Sequence, residues 1–360
     1  MSKAAELAAL IGSQTALSNR RININGNFFI WQRGTSAITV SGDDDFTCDR
    51  FKGWANGGGT FTVEQSTDVP SNEFEFSAKL INTAVDSSVA AGDDYRWATD
   101  IEGYDVARLA YGSSDAKTAT LSFWVKSSLT GTYCGAFYST TASRHYIYEY
   151  TISSANTWEK KTITVEGDTT GSWNRTNGNG LRIYWGFGSG SDVQGTADAW
   201  AAGEKWETTN QAAWIGSASA TFYITGVQLE VGETATPFEH RSYGDELARC
   251  QRYYQYIGKG ESYGHLGLGI AYNTTGIRLP VQMRPVGMRT IPSITSSGSI
   301  RTAHQVSSPN VTGVSIATSE STDNIVGVNV AVASGLTQGY VYGITNNNDT
   351  NAHIAFSAEL

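Results

Sequence analysis

From Ile22 onward the chain is a succession of short runs in which apolar and polar residues alternate, each closed by a cluster of Gly, Asn, Asp or Ser. Side chains of a strand point to opposite faces in turn, so this period of two suits a sheet with one buried face. The alternation predicts strands at Ile22–Val40 around Phe29 and Trp31, then at Thr60–Glu64, Phe74–Asn82, Tyr95–Ile101, Ala119–Lys126, Thr132–Tyr138, Tyr146–Tyr150, Lys161–Val165, Leu181–Phe187 and Ala220–Glu230. Turn clusters such as Gly57–Gly59, Gly92–Asp94, Gly167–Gly171 and Gly188–Gly190 separate them. With little helical periodicity between strands, the expected fold is all-β, an antiparallel sandwich of jelly-roll type.

Composition agrees. Only 16% of the 360 residues are charged and 39 are Gly, which is unlike a helical enzyme. A net charge of -9 without a clustered basic face argues against nucleic-acid binding. Cys48, Cys134 and Cys250 are few, distant and odd in number, so reduced, buried thiols are expected. No signal peptide and no membrane insertion are expected, because the apolar run Ala8–Ile11 is short and no 18-residue apolar run occurs.

Two segments read as helices. In Ser2–Ile11, Ala4, Leu7, Ala8 and Ile11 share a stripe. Such a short helix needs a surface to pack on, either its own domain or sister subunits and a larger assembly. Gly244–Gln255 is the second, with Asp245 as its expected cap and Leu247, Cys250 and Tyr254 on one face. All ten Trp lie at or before Trp214, so the chain is expected to change character there. The boundaries expected are an anchor helix and arm over 1–21, a jelly roll over 22–240, a connecting helix over 241–256 and a β-sandwich head over 257–360. In the head, strands are expected at Gly264–Tyr272, Gly276–Gln282, Ile291–Ser297, Asn324–Ala331, Gly339–Ile344 and Ala352–Phe356. Its few large aliphatics promise a thin core that oligomerisation would supplement.

Three motifs carry a family resemblance. INGNFFIWQRGTS (Ile24–Ser36), followed by DRF (Asp49–Phe51), is similar to the opening of many phage structural proteins. LSFWVKSSLTGTY (Leu121–Tyr133), TWEKKTITVEGDTTGSW (Thr157–Trp173) and GLRIYWGFGSG (Gly180–Gly190) resemble the strands of their carbohydrate-binding-module-like jelly roll. GVQLEVGETATPFEHRSYGDELARCQRYYQY (Gly226–Tyr256) resembles the junction to a C-terminal head, and RLPVQMRPVGMRTIPSI (Arg278–Ile294) the segment after it. The resemblance implies a homotrimeric virion fibre or spike, made in the host cytoplasm. Its other virion partners are expected to meet the N-terminal segment, and host surface polysaccharide is a frequent ligand of such proteins.

Flat aromatic faces with a polar edge suit stacking on sugar rings. Of the Trp residues, the loop-borne Trp173, Trp200 and Trp206 are the glycan-binding candidates, while Trp31, Trp124 and Trp185 sit in strands. One of the neighbours Phe123 and Trp124 must face inward. Leu7, Ile11, Arg249 and Arg252 are the candidate anchor and oligomer contacts. The junction charges Glu239, His240, Arg241, Asp245 and Glu246, with those two Arg, read either as a solvated corner or as ion pairs setting chain register. No catalytic residue and no cofactor is expected. Asp43–Asp45, Asp93–Asp94 and Glu166 with Asp168 offer oxygen ligands for a structural calcium ion, but solvated turns explain them as well. Gly260–Gly264 matches G-x-S-x-G without the strand–turn–helix context a nucleophile needs. The expected function is therefore a trimeric tail fibre or receptor-binding protein that attaches to host glycans. A capsid head fibre or decoration protein is the alternative, and a polysaccharide-degrading enzyme a third reading.

Overall fold

The computed structural model describes residues 19–305 and 307–360, so the expected helix Ser2–Ile11, with Leu7 and Ile11, lies outside the described residues. The protein is almost entirely β and divides into two compact units, the first ending at Glu246 and the second spanning Leu247–Glu359.

Among the described residues, thirteen strands build the first unit: β1 (Ile38–Val40), β2 (Asp45–Phe46), β3 (Phe51–Asn56), β4 (Thr60–Ser66), β5 (Ser77–Ala84), β6 (Asp94–Glu102), β7 (Ala119–Ser127), β8 (Gly131–Ser139), β9 (Arg144–Ile152), β10 (Glu159–Val165), β11 (Asn179–Gly186), β12 (Trp200–Ala202) and β13 (Thr221–Val231). They form a six-stranded sheet, β1-β4-β5-β13-β7-β10, and a seven-stranded sheet, β12-β9-β8-β11-β6-β3-β2. Sequence neighbours β7 and β8, or β5 and β6, lie in different sheets, as in a sandwich wound by crossing between layers. Leu121, Phe123, Val125, Phe222, Ile224 and Leu229 of the first sheet meet Trp97, Ile101, Phe137, Ile183 and Trp185 of the second in one core. Burying a large apolar side chain contributes roughly 2–3 kcal/mol each, so this interface dominates the unit's stability.

The segment before Ile38 corrects the reading of Ile22–Val40 as one strand, since only Ile38–Val40 is extended. Asn25 and Phe28 instead adopt φ values of 58° and 54°. The Asn25 amide donates to the carbonyls of Ile30 (2.9 Å) and Asp49 (3.0 Å), and its oxygen accepts from the Ile30 N–H at 2.9 Å. The Gln32 N–H donates to Asp49 at 2.7 Å. This knot delivers Phe28 to the core, where its ring lies 4.9 Å from Phe51 and 5.6 Å from Trp97. The apolar residues of the opening motif thus serve a turn. Local Asn hydrogen bonds outcompete the ladder there.

In the second unit, β15 (His265–Ala271), β16 (Gly276–Gln282), β18 (Ile300–Ala303), β19 (Val311–Ile316), β20 (Ile325–Val332) and β21 (Val341–Asn346) make a six-stranded sheet. A smaller sheet pairs β14 (Tyr254–Ile257), β22 (His353–Ser357) and β17 (Ser293–Ser297). Val326, Val328, Val330, Ile277 and Leu279 pack with Ile354 and Phe356 in a core of mostly small aliphatics.

The helix over Tyr243–Gln251 is shorter than expected. Its cap is Ser242, whose hydroxyl accepts from the Asp245 N–H at 3.2 Å and donates to the Asp245 carboxylate at 2.7 Å. It stops at Gln251 because Tyr254–Ile257 pairs with Ser357–Ile354, so the ladder claims the backbone that helix periodicity would have used. Cys48, Cys134 and Cys250 are buried free thiols, as expected.

Candidate functional site

Register settles which of Phe123 and Trp124 faces inward. Phe123 is in the core, so Trp124 stands on the outer face of the six-stranded sheet, half-buried, opposite Lys160 of β10 and Thr225 of β13. Just beyond Thr225 the β13 ladder slips at a bulge before Gln228. Gly226 takes φ 64° there, a left-handed conformation that glycine adopts without strain. A Cβ on Gly226 would lie 2.8 Å from Cζ of Phe74 and 3.2 Å from Cδ1 of Trp124. The missing side chain is what lets both rings settle over the backbone. On the inner side, Asn23 fills the bulge by donating to the Val227 carbonyl and accepting from the Leu229 N–H, both at 2.9 Å.

The outward side chains of β13 on either side of the bulge pin two walls. The Thr225 hydroxyl donates to the Phe76 carbonyl at 2.8 Å, fixing the segment that carries Glu73 and Phe74. The Gln228 amide donates to Glu230 (3.1 Å) and Thr236 (3.0 Å), while its oxygen accepts from the Glu239 N–H at 2.8 Å. That fixes the segment carrying Phe238, whose ring lies 5.3 Å from Phe74. Between the walls is a groove of about 320 Å³ lined by Glu73, Phe74, Ser122, Trp124, Lys160 and Phe238, among others. Apolar ring faces and convergent polar groups in a cleft of this size are the usual makings of a small-ligand site.

A second aromatic lies on the same face. Trp158 precedes β10 by one residue, its indole N–H donating to Asp68 at 2.9 Å. Lys126 pairs with the same carboxylate and sits 5.4 Å from the Trp158 ring and 4.2 Å from that of Tyr223. Burial alone would raise the Asp68 carboxyl, but hydrogen bonds from Lys126 and Trp158 hold it below its ordinary value.

Of the loop Trp candidates, Trp173 and Trp206 require correction. Trp173 is buried, donating to the Thr170 carbonyl at 3.1 Å with its ring 4.9 Å from Tyr111. Trp206 is also buried, 3.8 Å from the Arg96 guanidinium and donating to Ser189 at 3.1 Å. Trp200 stays half-buried on edge strand β12, its indole N–H donating to the Glu166 carbonyl at 2.7 Å. Of the ten Trp, only Trp124, Trp158 and Trp200 are not buried.

Trp206 is lost to ligand because the chain after β11 folds over the outer face of the seven-stranded sheet. Arg96 there is enclosed by Trp54, Tyr184 and Trp206 and paired with Asp94 at 3.1 Å and Glu204 at 2.8 Å. Beneath the loop, burial pushes the Glu207 carboxyl up to about 7, although the N–H groups of Gly188 and Ser189 counter it. Alongside, Asp100 is drawn down to about 2 because Arg182 and Lys52 overcome its burial. These polar groups lock the loop down.

At the junction, the Glu246 carboxylate accepts from Arg21 and from the Asn25 N–H, with Arg241 3.7 Å away. Glu246 and Arg21 are buried, which departs from a solvated corner. Arg249 and Arg252 are half-buried. The acidic clusters are divided among separate partners, Asp44 with Lys52, Asp94 with Arg96 and Asp168 with Arg144. Among the described residues no group of three or more His, Cys, Asp or Glu is placed to hold a metal ion. Ser262 of the G-x-S-x-G stretch lies in a turn.

No family model matches the chain, and no curated protein matches it. Among solved structures, it is similar to the enzymatically active domain of bacteriophage CBA120 tailspike protein 4, with 14% identity, a TM-score of 0.30 and 59% of this chain aligned. The chain spans 21% of that tailspike's length. It is also similar to the family 11 carbohydrate-binding module of a Clostridium thermocellum cellulosomal cellulase, at 10% identity and a TM-score of 0.29, over 57% of this chain and 99% of the module. A CBM4 structure aligns at 14% identity and a TM-score of 0.30, over 59% of this chain and 99% of its own. All three TM-scores lie below 0.5, so the sandwich rests on the strand pairing described above.

Proposed function

We propose that the protein is a non-catalytic structural component of a phage virion, a homotrimeric tail fibre or receptor-binding protein that attaches to host surface glycans. The observation that carries the binding role is the groove around Trp124. A half-exposed indole lies beside the rings of Phe74 and Phe238, with exposed Lys160 at its edge to hydrogen-bond hydroxyls and buried Ser122 at its floor. Sugar rings present apolar C–H faces ringed by hydroxyls and match such a surface. The virion role is supported by the motifs Ile24–Ser36, Asp49–Phe51 and Gly226–Tyr256. Weak single sites suffice if three act together.

Affinity electrophoresis of the full chain in gels containing host surface polysaccharide tests the binding, and immunogold labelling of particles tests the location. Retarded migration without release of new reducing ends, together with gold on the tail, is expected. Unretarded migration contradicts the glycan reading, new reducing ends contradict the non-catalytic one, and gold confined to the capsid contradicts the tail assignment.

A further inference from the structure

The larger sheet of the second unit turns an unusual face to solvent. Its inward positions are the core valines and isoleucines, as alternation requires. Its outward positions should then be polar, yet beside Arg278, Gln282, Asn329 and Arg301 they include the exposed Leu268, Ile270, Pro280, Ile325 and Val341, with exposed Tyr272 just past the end of β15. Leu268 is 65% exposed, Ile270 55% and Val341 52%. In this strip register joins Ile270 directly to Val341, and it leaves Ile325 and Pro280 beside Gln282 and Gly327. Ile270 lies directly between Val341 and Arg278, while Leu268 faces Gly343, which has no side chain to cover it.

The strip is also electrically quiet. Of its cations, Arg278 is paired with Glu320 and lies 5.6 Å from the Tyr272 ring, and Arg301 at the β18 edge lies 5.2 Å over the Tyr263 ring. The exposed apolar area is on the order of 500 Å² per chain, at the upper end of what monomers leave in water, and three such faces turned to one axis would together remove about 1,500 Å², above the roughly 1,000 Å² that a specific interface needs.

We infer that this face is where copies of this chain pack together, turned towards a common axis. The inference rests on the proposed trimer for its stoichiometry. A second copy is the occupant that fits. The face offers neither a groove for a peptide nor a row of charges for an oppositely charged partner. Three such faces turned towards one axis shield their apolar side chains from water at a shared centre, as the inner faces of packed sheets do. A thin core of small aliphatics is also the kind that gains most from area buried against a neighbour.

The test is the mass of the full chain by multi-angle light scattering, for wild type and for the pairs Leu268→Asp with Ile270→Asp and Leu268→Thr with Ile270→Thr. The Thr pair guards against misfolding, because β-branched Thr keeps the strand preference while removing apolar surface. Wild type at three times the chain mass of 38.7 kDa, with the folded variants at that mass itself, is the expected result. A monomeric wild type, or a folded Thr pair that keeps the wild-type mass, overturns the inference. Affinity per site for a short oligosaccharide fragment should stay within twofold in the Thr pair, since the Trp124 groove belongs to the first unit, while avidity for the whole polysaccharide falls with the loss of the trimer. A trimer that the Thr pair dissociates but that binds no glycan would contradict the binding role and leave this interface standing.

Discussion

Trp124 of β7 and Lys160 of β10 stand directly opposite each other on the solvent face of the six-stranded sheet. The indole is half-buried, whereas the lysine is exposed. A ring face and a mobile hydrogen-bond donor thus border the same groove.

Replacing Lys160 with Met should leave folding unchanged within about 0.5 kcal/mol, because the side chain is exposed. Losing one hydrogen bond to a sugar hydroxyl costs about 1 kcal/mol, so affinity should fall several-fold. Denaturant titration and calorimetric binding would separate the two effects.

Gly226→Ala should destabilise the first unit by about 1–2 kcal/mol, since a left-handed φ penalises a Cβ. The added methyl would also displace the rings of Phe74 and Trp124, so binding should weaken along with stability. A shift in urea midpoint together with weaker polysaccharide retention is the expected pair of results.

Glu246→Ala removes the carboxylate that pairs with buried Arg21 and accepts the Asn25 N–H. Breaking a buried ion pair by removing one partner costs up to about 3–5 kcal/mol. Thermal unfolding should therefore begin several degrees lower in this variant than in wild type.

Glu207 gives stability a pH dependence opposite to that of ordinary acid denaturation. Its folded-state pKa of about 7 lies above the usual 4.5, so the folded chain binds this proton more tightly than the unfolded chain. Its contribution is full below 4.5 and is lost as pH rises towards 7, by up to about 3 kcal/mol. Glu207→Gln should flatten that part of a stability-against-pH curve measured by chemical denaturation.

Period-two alternation marked nine strands of the first unit well, because each has one face in the core. It misses β3, whose sequence Phe51-Lys52-Gly53-Trp54-Ala55 does not alternate, whereas β6, buried at every position, still alternates apolar and polar residues and is found. It read Ile22–Val40 as a strand because apolar residues that feed a core through a turn look the same in sequence. The glycan candidates fared worse for a tertiary reason. A Trp in a loop is exposed only if the loop stays away from the body, and the loops of Trp173 and Trp206 fold back onto it. Trp124, set aside as a strand residue, lies outward because of its phase relative to Phe123. The bulge at Gly226 and the walls pinned by Thr225 and Gln228 depend on contacts that sequence spacing does not encode.

The most direct test is calorimetric titration of host polysaccharide fragments into the full chain carrying Trp124→Ala or Trp200→Ala. Both are half-buried aromatics, but only Trp124 lines the groove. At least a tenfold loss of affinity is expected for Trp124→Ala and a change within twofold for Trp200→Ala. Unchanged affinity in a folded Trp124→Ala chain, with loss in Trp200→Ala, would contradict the Trp124 groove as the site and move the binding surface to the edge of the other sheet.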